Sequence, residues 1–590
     1  MATQMKSKHI AGATIAVVAN NRLLFSKGYG YADVAQGKPV IAQETMFRLG
    51  SVSKLFTWTA VMQLAEQGKL DLDADVNQYL IEFKIPATYP KPITLKHLLA
   101  HTPGFEDRVI GLFARSPDNI EPLEKLLQRE LPARVRPVGQ LASYSNHGTA
   151  LAGHIVAQVS GMPWEDYIEQ HLLKPLGMEH TSVRQPSAGK LPAEMSKGYK
   201  FTNGKFEEQG FEYVPAAPAG SMSASATDMA RFLIAHLQDG RYESARILEV
   251  QTARQMRDVL FTHDPRLDGM GYGFMRLVYN EEHLVHHGGD TLQFHSLFAM
   301  LPERQLGFFV SYNTDKAVGV REQLLEALLD RYYPVAKPAP KARPDFKDRA
   351  NRYAGSYGGI RYSYKSAAKL GALFNVADVE LDGDTLLVNG GQADAKRFVE
   401  VEPFMFREVD GPETLVFRAN EDGQITHLFS ERGPAIAMIR LPWYETPVFN
   451  LGLLAGCMTV LWSAIIGWPL LHFATRKYRV AGEPPSRASR LASWMAWICS
   501  LSFVAWFALC LIPLDDPQDI IYGVPPLLAD LLRITPALVV LTAGVLGCTI
   551  LAWGGRYWSL LGRLHYTCVL LSGIGLLWFL FHWNLLPIQA

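Results

Sequence analysis

The first 446 residues of this 590-residue chain contain no cysteine; all five, Cys457, Cys499, Cys510, Cys548 and Cys568, lie beyond them. That stretch therefore has no disulfide and no thiol nucleophile, which suits an oxidising or a reducing compartment equally. Neither sign of charge is in excess, with 57 Lys and Arg against 57 Asp and Glu, so nothing points to nucleic acid as a partner. No internal repeat and no low-complexity tract is present. The opening "MATQMKSKHIAGATIAVVANN" lacks a basic region followed by a long apolar core, so no signal peptide is read in it.

Long apolar runs are confined to the last part of the chain. Residues 448–473, 491–513, 534–553 and 564–586 are each apolar over a bilayer's width, and tryptophans stand near their ends. Four transmembrane helices over 447–590 are expected. The first connecting loop carries Arg476, Lys477, Arg479, Arg487 and Arg490, and the third carries Arg556 and Arg563. The second has Asp515, Asp516 and Asp519, with no basic residue before Arg533. The excess of basic residues places loops one and three in the cytoplasm and residues 1–446 on the periplasmic or extracellular side of a cell (inner) membrane. The missing leader leaves three readings open: a start further upstream, a trimmed sequence, or the inverted orientation.

The part before the membrane divides again. Residues 334–349 hold Pro334, Pro338, Pro340 and Pro344 among charges, as a semi-rigid linker does. Residues 350–446 read as short alternating strands turning at Asp382-Gly383 and Asp422-Gly423, an accessory all-β domain. Residues 1–333 begin and end with hairpin patterns and carry helical patterns between them, at 55–67, 94–100, 148–160 and 226–238. Strands from both ends enclosing a helical middle predict an α+β fold, an antiparallel sheet flanked by helices.

Candidate chemistry begins at "FRLGSVSKLFT", where Ser51 and Lys54 share one side of the first turn of a helix whose buried face is Leu55, Phe56, Trp58, Val61, Met62 and Leu64. A lysine there loses hydration, so its pKa falls and it can take a proton from a serine nucleophile; the alternative is a lysine reaching out of a helix end. Ser-x-x-Lys also occurs at Ser187 to Lys190, in a Gly- and Pro-bounded loop, and at Ser366 to Lys369. Two further stretches could supply partners. In "SYSNHG", Tyr144 and Asn146 precede a helix that Asn146 could also cap. In "VHHGGDTLQFHS", His287-Gly288-Gly289 leads into an apolar strand, where paired glycines allow another backbone or a substrate to come close. His283, His286, His287 and His295 cluster in sequence, but strand alternation divides them between two faces, so no metal site is read. His101 in "AHTPG" reads as a residue that fixes a loop.

Ser51-x-x-Lys54, Tyr144-x-Asn146 and His287-x-Gly289, in this order, resemble the serine hydrolase superfamily of penicillin-binding proteins and class C β-lactamases. The segments "LLAHTPGF" (98–105), "LLKPLGMEHTS" (172–182) and "PAGSMSASATDMARFL" (218–233) are also similar to that family, over roughly residues 10–330. The resemblance implies Ser51 as nucleophile, Lys54 and Tyr144 as the proton-transfer groups, and an oxyanion hole from the backbone N–H groups of Ser51 and Asp290. It further implies Asn146, His287, Gly288 and Gly289 as substrate-binding residues, and no cofactor. Many members have a lysine in the third motif, and His287 would hold a substrate carboxylate less reliably.

The expected function is a membrane-anchored serine hydrolase that cleaves an amide or ester through an acyl-serine, acting on D-amino-acid-containing peptides. An esterase or β-lactamase of the same fold is the alternative, and a slowly turning-over acylated sensor is the alternative of another class. The expected partners are a small peptide, ester or β-lactam substrate and the membrane, and no nucleic acid.

Overall fold

A computed structural model describes residues 1–336, 340–390, 395–477, 486–512 and 517–586. The apolar run after Ala11 forms β1 (Gly12–Ala19), buried along almost its whole length, and turns at Asn20-Asn21 into β2 (Arg22–Asp33). Both turn residues have positive φ, the geometry that matches the twist of the flanking strands. After β3 (Lys38–Pro39) the sheet is taken up again much later in the chain. Its remaining strands are β4 (Gly269–Met270), β5 (Met275–Tyr279), β6 (Glu282–Asp290), β7 (His295–Leu301) and β8 (Leu306–Tyr312). They make one antiparallel sheet in the order β4-β5-β6-β7-β8-β1-β2-β3. Ala13 of β1 stands opposite Tyr312 of β8, so the two ends of the domain close the sheet as the hairpin patterns predict.

Three helices carry the layer on one face: α1 (Lys54–Glu66), α2 (Asn146–Ser160) and α3 (Ala226–Leu237). Every residue of α1 from Lys54 to Leu64 is buried, not only the apolar stripe. The reason is its position: α1 lies inside the domain, within one cluster that includes Leu151 of α2, Phe232 of α3 and Phe298 of β7, so it has no solvent side. On the other face α4 (Val320–Tyr332) buries Leu325 and Leu329 with Leu297 and Val310 of the sheet.

The accessory domain is a closed eight-stranded barrel running from Gly355–Gly359 to Ala437–Arg440, with Tyr357 paired to Arg440 where the barrel closes. Its core is aromatic, with Tyr353, Tyr357, Phe398, Phe406 and Phe417 packed together. The proline-rich segment is shorter as a linker than its composition suggests. Phe346 is inserted in the barrel core, and Arg343 N donates to Glu400 O at 3.3 Å. One buried aromatic ring is enough to convert the end of that segment into part of the domain.

Four helices are long and apolar enough to cross a membrane: α5 (Pro447–Lys477), α6 (Arg487–Leu511), α7 (Pro536–Gly554), which continues a short helix at Pro526–Ile534, and α8 (Leu560–His582). Large apolar side chains such as Val540 and Leu561 face outward, the reverse of a soluble bundle. Arg479, Asp515 and Asp516 lie outside the described residues. The soluble domains sit at one end of the bundle. Asn584 Nδ2 donates to Tyr364 O at 2.7 Å, Lys369 Nζ donates to His582 O at 2.7 Å, and Arg115 pairs with Asp519 between α6 and α7. Residues 517–523, between α6 and α7, therefore lie on the side of the soluble domains.

Candidate active site

Ser51 lies in the single turn Gly50–Ser53 that leads into α1, at the positive end of that helix. Strand β6 lies flush against this turn. A Cβ on Gly289 would fall 2.0 Å from Leu49 O and 3.0 Å from Ser51 N, and one on Gly50, which has positive φ, would fall 2.7 Å from Asp290 N. Only glycines permit that approach, and it brings the backbone N–H groups of Ser51 and Asp290 to the same small space. Gly288 is different: it faces the other side of the sheet, against the Arg321 guanidinium.

Lys54 is fully buried. Its Nζ donates to Ser51 Oγ at 3.0 Å, Asn146 Oδ1 at 2.7 Å and Ala219 O at 2.7 Å, which uses all three protons of the ammonium form. Burial holds its pKa well below the ordinary lysine value, and the positive charge of Arg361 adds to this, while Asp107 acts in the opposite sense. A neutral amine at this place can accept the Ser51 proton along the same 3.0 Å line.

Tyr144 is buried, its ring 4.8 Å from Lys54 Nζ, and its Oη faces Ser51 with no other hydrogen-bond partner among the described residues. Burial raises its pKa above the usual phenol value, so the phenol keeps its proton and can give it. Its loop is held by His101, whose ring lies 4.4 Å from that of Tyr144 and whose Nδ1 accepts from Ser145 N at 3.2 Å. This is the loop-fixing role read from the sequence. Asn146 does not cap α2. Ser145 does, accepting from Gly148 N at 3.0 Å, and the Asn146 amide is left free to meet Lys54.

His287 Nδ1 stands 2.6 Å from Gly288 O; a carbonyl can only accept, so Nδ1 carries the proton. Burial, together with the Lys54 charge, pushes its pKa down to about 3. The ring is neutral, with Nε2 buried and offering a lone pair. The neighbouring histidines go elsewhere: His283 to Asp268 at 3.2 Å and His295 to Asp290 at 2.7 Å, while His286 stands on the opposite face of β6 from His287. Asp290 stays ionised; burial would raise its pKa, but the His295 hydrogen bond and Arg321 outweigh that.

All eight residues singled out in the sequence meet here. Ser51, Tyr144, Asn146, His287, Gly288 and Asp290 line one cavity of about 420 Å³, with Lys54 and Gly289 packed directly behind Ser51. The other Ser-x-x-Lys pairs do not reach it. Ser187 is exposed in a turn, and Ser366 caps the short helical segment Ala367–Phe374 beside the barrel. The sequence reading missed the wall opposite. Arg361 and residues 432–436, all from the barrel domain, line the same cavity as Ser51, as does Leu112, and Phe113 lines a small neighbouring pocket on the other side of Ser51 and Asn146. No local pattern marks any of these as site residues.

Residues 1–332 match the family model described as Beta-lactamase. Protein flp of Staphylococcus aureus (strain N315) is 28% identical over 315 residues, covering 52% of this chain and 61% of that protein. The putative penicillin-binding protein PbpX of Bacillus subtilis (strain 168) is 34% identical over 248 residues, covering 40% of this chain and 57% of its own. The match thus spans less than two thirds of either relative. Among solved structures, SurE is 24% identical with a TM-score of 0.53, covering 75% of this chain and 97% of that one. SurE with D-Leu is 23% identical with a TM-score of 0.52, covering 75% and 97%. At that identity the likeness is one of fold.

Proposed function

The chain belongs to the Beta-lactamase family, and on that premise we propose that it is a membrane-anchored serine hydrolase cleaving an amide bond in D-amino-acid-containing peptides through an acyl-Ser51 intermediate. The observation that carries this reading is Lys54 Nζ held 3.0 Å from Ser51 Oγ at a fully buried site. Neutral Lys54 takes the Ser51 proton as Oγ attacks the carbonyl carbon. The oxyanion is received by the N–H groups of Ser51 and Asp290. Tyr144 protonates the leaving amine, the C–N bond breaks, and Tyr144 and Lys54 together activate water for deacylation, titrating as a coupled pair. Asn146 and the Nε2 lone pair of His287 orient the substrate amide.

A peptide substrate is supported by the neutral His287, which supplies no cation for the carboxylate of a β-lactam, and by SurE having been crystallised with D-Leu. The test is product formation, read by mass spectrometry, from acyl-D-peptides, their L-counterparts, aryl esters and β-lactams with the purified full chain in detergent. Preference for the D-peptides supports the proposal; turnover of esters alone makes the protein an esterase. His287→Lys is expected to lower peptide turnover at about pH 8, because it replaces a neutral acceptor by an amine with no anionic partner in a desolvated cleft, and to raise any β-lactam hydrolysis, whose carboxylate would pair with that amine in its charged form. Equal or higher peptide turnover by that variant across about pH 6–8 returns carboxylate-bearing substrates to the front.

One observation favours a second reading, a sensor that is acylated and turns over slowly. Phe113, which lines a small pocket beside Ser51, donates its N–H to Ile521 O at 3.3 Å, and Arg115 stacks on Tyr522 at 4.1 Å, so the segment between α6 and α7 touches a wall of the site. A stoichiometric burst with negligible steady-state rate identifies the sensor.

We place the catalytic domain on the periplasmic or extracellular side. In a chain freed of its native cysteines, a cysteine at the exposed Asp530 should react with an impermeant maleimide added to intact cells, and one at Arg490 should not. The opposite pattern puts the hydrolase in the cytoplasm.

A further inference from the structure

Residues 1–332 contain the whole nucleophilic apparatus, yet two of the groups that hold Tyr144 come from the barrel domain. The chain leaving the barrel strand Gly355–Gly359 is laid onto the catalytic domain by a series of bonds. Asp107 N donates to Tyr362 O at 3.1 Å, and Tyr364 N and Lys365 N donate to Glu106 Oε2 at 2.6 and 3.1 Å. Arg136 Nη1 donates to Tyr364 Oη at 2.7 Å. So anchored, Arg361 sets its guanidinium 4.8 Å from the centre of the Tyr144 ring, with Nε 2.8 Å from Asp107 Oδ2 as an ion-pair contact rather than an aligned hydrogen bond. A second barrel loop pins the backbone, Tyr144 N donating to Ala435 O at 2.9 Å. The same phenol ring has a second cation at the same distance, Lys54 Nζ at 4.8 Å.

We propose that Arg361 is a positioning residue for acyl transfer: supplied by the barrel domain, it fixes the Tyr144 ring and, through its charge, keeps Lys54 in the neutral form that accepts the Ser51 proton. This rests on the reading of Lys54 as the base. Two cations around one buried ring disfavour each other, and an arginine does not give up its proton, so the adjustment falls on the lysine. The other titratable and charged groups facing Lys54 are accounted for. Burial drives His101 and His287 to their neutral forms and Tyr144 to its protonated form. Asp290 is committed to His295 and Arg321. Asp107 remains as the opposing charge. The barrel is on this view part of the active site, and the Arg361–Asp107 pair sets the pH at which Lys54 becomes a base.

The test is the pH dependence of kcat/KM for an uncharged aryl ester or amide, measured with the full chain in detergent. The acid limb reports loss of the Lys54 proton. Arg361→Gln removes a repelling cation, so the Lys54 pKa rises and the limb moves to higher pH by roughly half a unit to one unit. Asp107→Asn removes an attracting anion, so the limb moves to lower pH; Arg361→Lys restores the wild-type position. Because the substrate is uncharged, a role for Arg361 in holding a substrate carboxylate leaves the limb in place and overturns the proposal. So do shifts of the same sign in Arg361→Gln and Asp107→Asn, which mean general disturbance of the cleft. If Arg361→Gln does not fold, Asp107→Asn and Arg361→Lys decide the matter: a limb moved to lower pH in the first and unmoved in the second supports the proposal, and an unmoved limb in Asp107→Asn overturns it. An acid limb that survives Lys54→Ala defeats the reading of Lys54 as base, a failure distinct from an unmoved limb in the Arg361 variants.

Discussion

Ser51→Ala abolishes hydrolysis and also abolishes covalent labelling by a serine-directed fluorophosphonate, whereas Ser187→Ala and Ser366→Ala change neither. The expectation rests on position rather than motif. All three serines are followed three residues on by a lysine, but only Ser51 has its lysine buried, hydrogen-bonded to its Oγ and kept from its usual charge by desolvation. Ser187 is an exposed turn residue, and Ser366 spends its oxygen on Ala368 N and its proton on Ser363. Loss of the nucleophile also removes the acyl intermediate, so mass spectrometry of Ser51→Ala with substrate shows no adduct. Persistent labelling of that variant sinks the assignment. Because Ser51 is a small side chain at the surface of the cleft, the variant keeps its melting temperature, and lost labelling is then a chemical rather than a folding result.

Lys54→Ala and Tyr144→Phe each reduce kcat by roughly 10²–10⁴, the range expected for a positioned acid or base. Tyr144→Phe is the cleaner variant. Among the described residues its Oη faces only Ser51, so removing it deletes a proton-transfer group and breaks no bond that holds the fold. Lys54→Ala also leaves Asn146 Oδ1 and Ala219 O without their donor, so part of its effect is displacement of the substrate-facing amide. The double variant falls well short of the product of the single losses, because the two groups share one proton-transfer task. A rise in KM with kcat unchanged makes either residue a binding group instead.

Several features of this site were legible because each has a local cause. A serine three residues before a lysine at the start of a helix, a tyrosine two before an asparagine, and two glycines entering an apolar strand are short patterns set by helix periodicity and by the close approach that only glycine allows. The structure brings all of them to one cavity or directly behind it. The same local reasoning left open a helix cap for Asn146 that Ser145 in fact provides, since capping geometry depends on which of two adjacent polar residues turns toward the helix. It also read residues up to 349 as linker, because proline content is visible in a sequence and the insertion of Phe346 into a distant core is not.

By itself the amino-acid sequence determined the mixed fold with its sheet closed by both ends of the domain, the four apolar helices and the candidate residues Ser51, Lys54, Tyr144 and His287. All of these depend on periodicity, on apolar run length or on spacings within a turn. Only the tertiary structure decided what surrounds that chemistry: that α1 is buried on every side, that His287 is neutral with its lone pair free, that the segment between α6 and α7 touches a wall of the site, and that Arg361 of the barrel stands over Tyr144. The physical reason is that burial and charge act through space. A lysine's pKa is set by whatever lies within a few ångströms of it, and no pattern in the chain announces that an arginine from another domain is one of those neighbours.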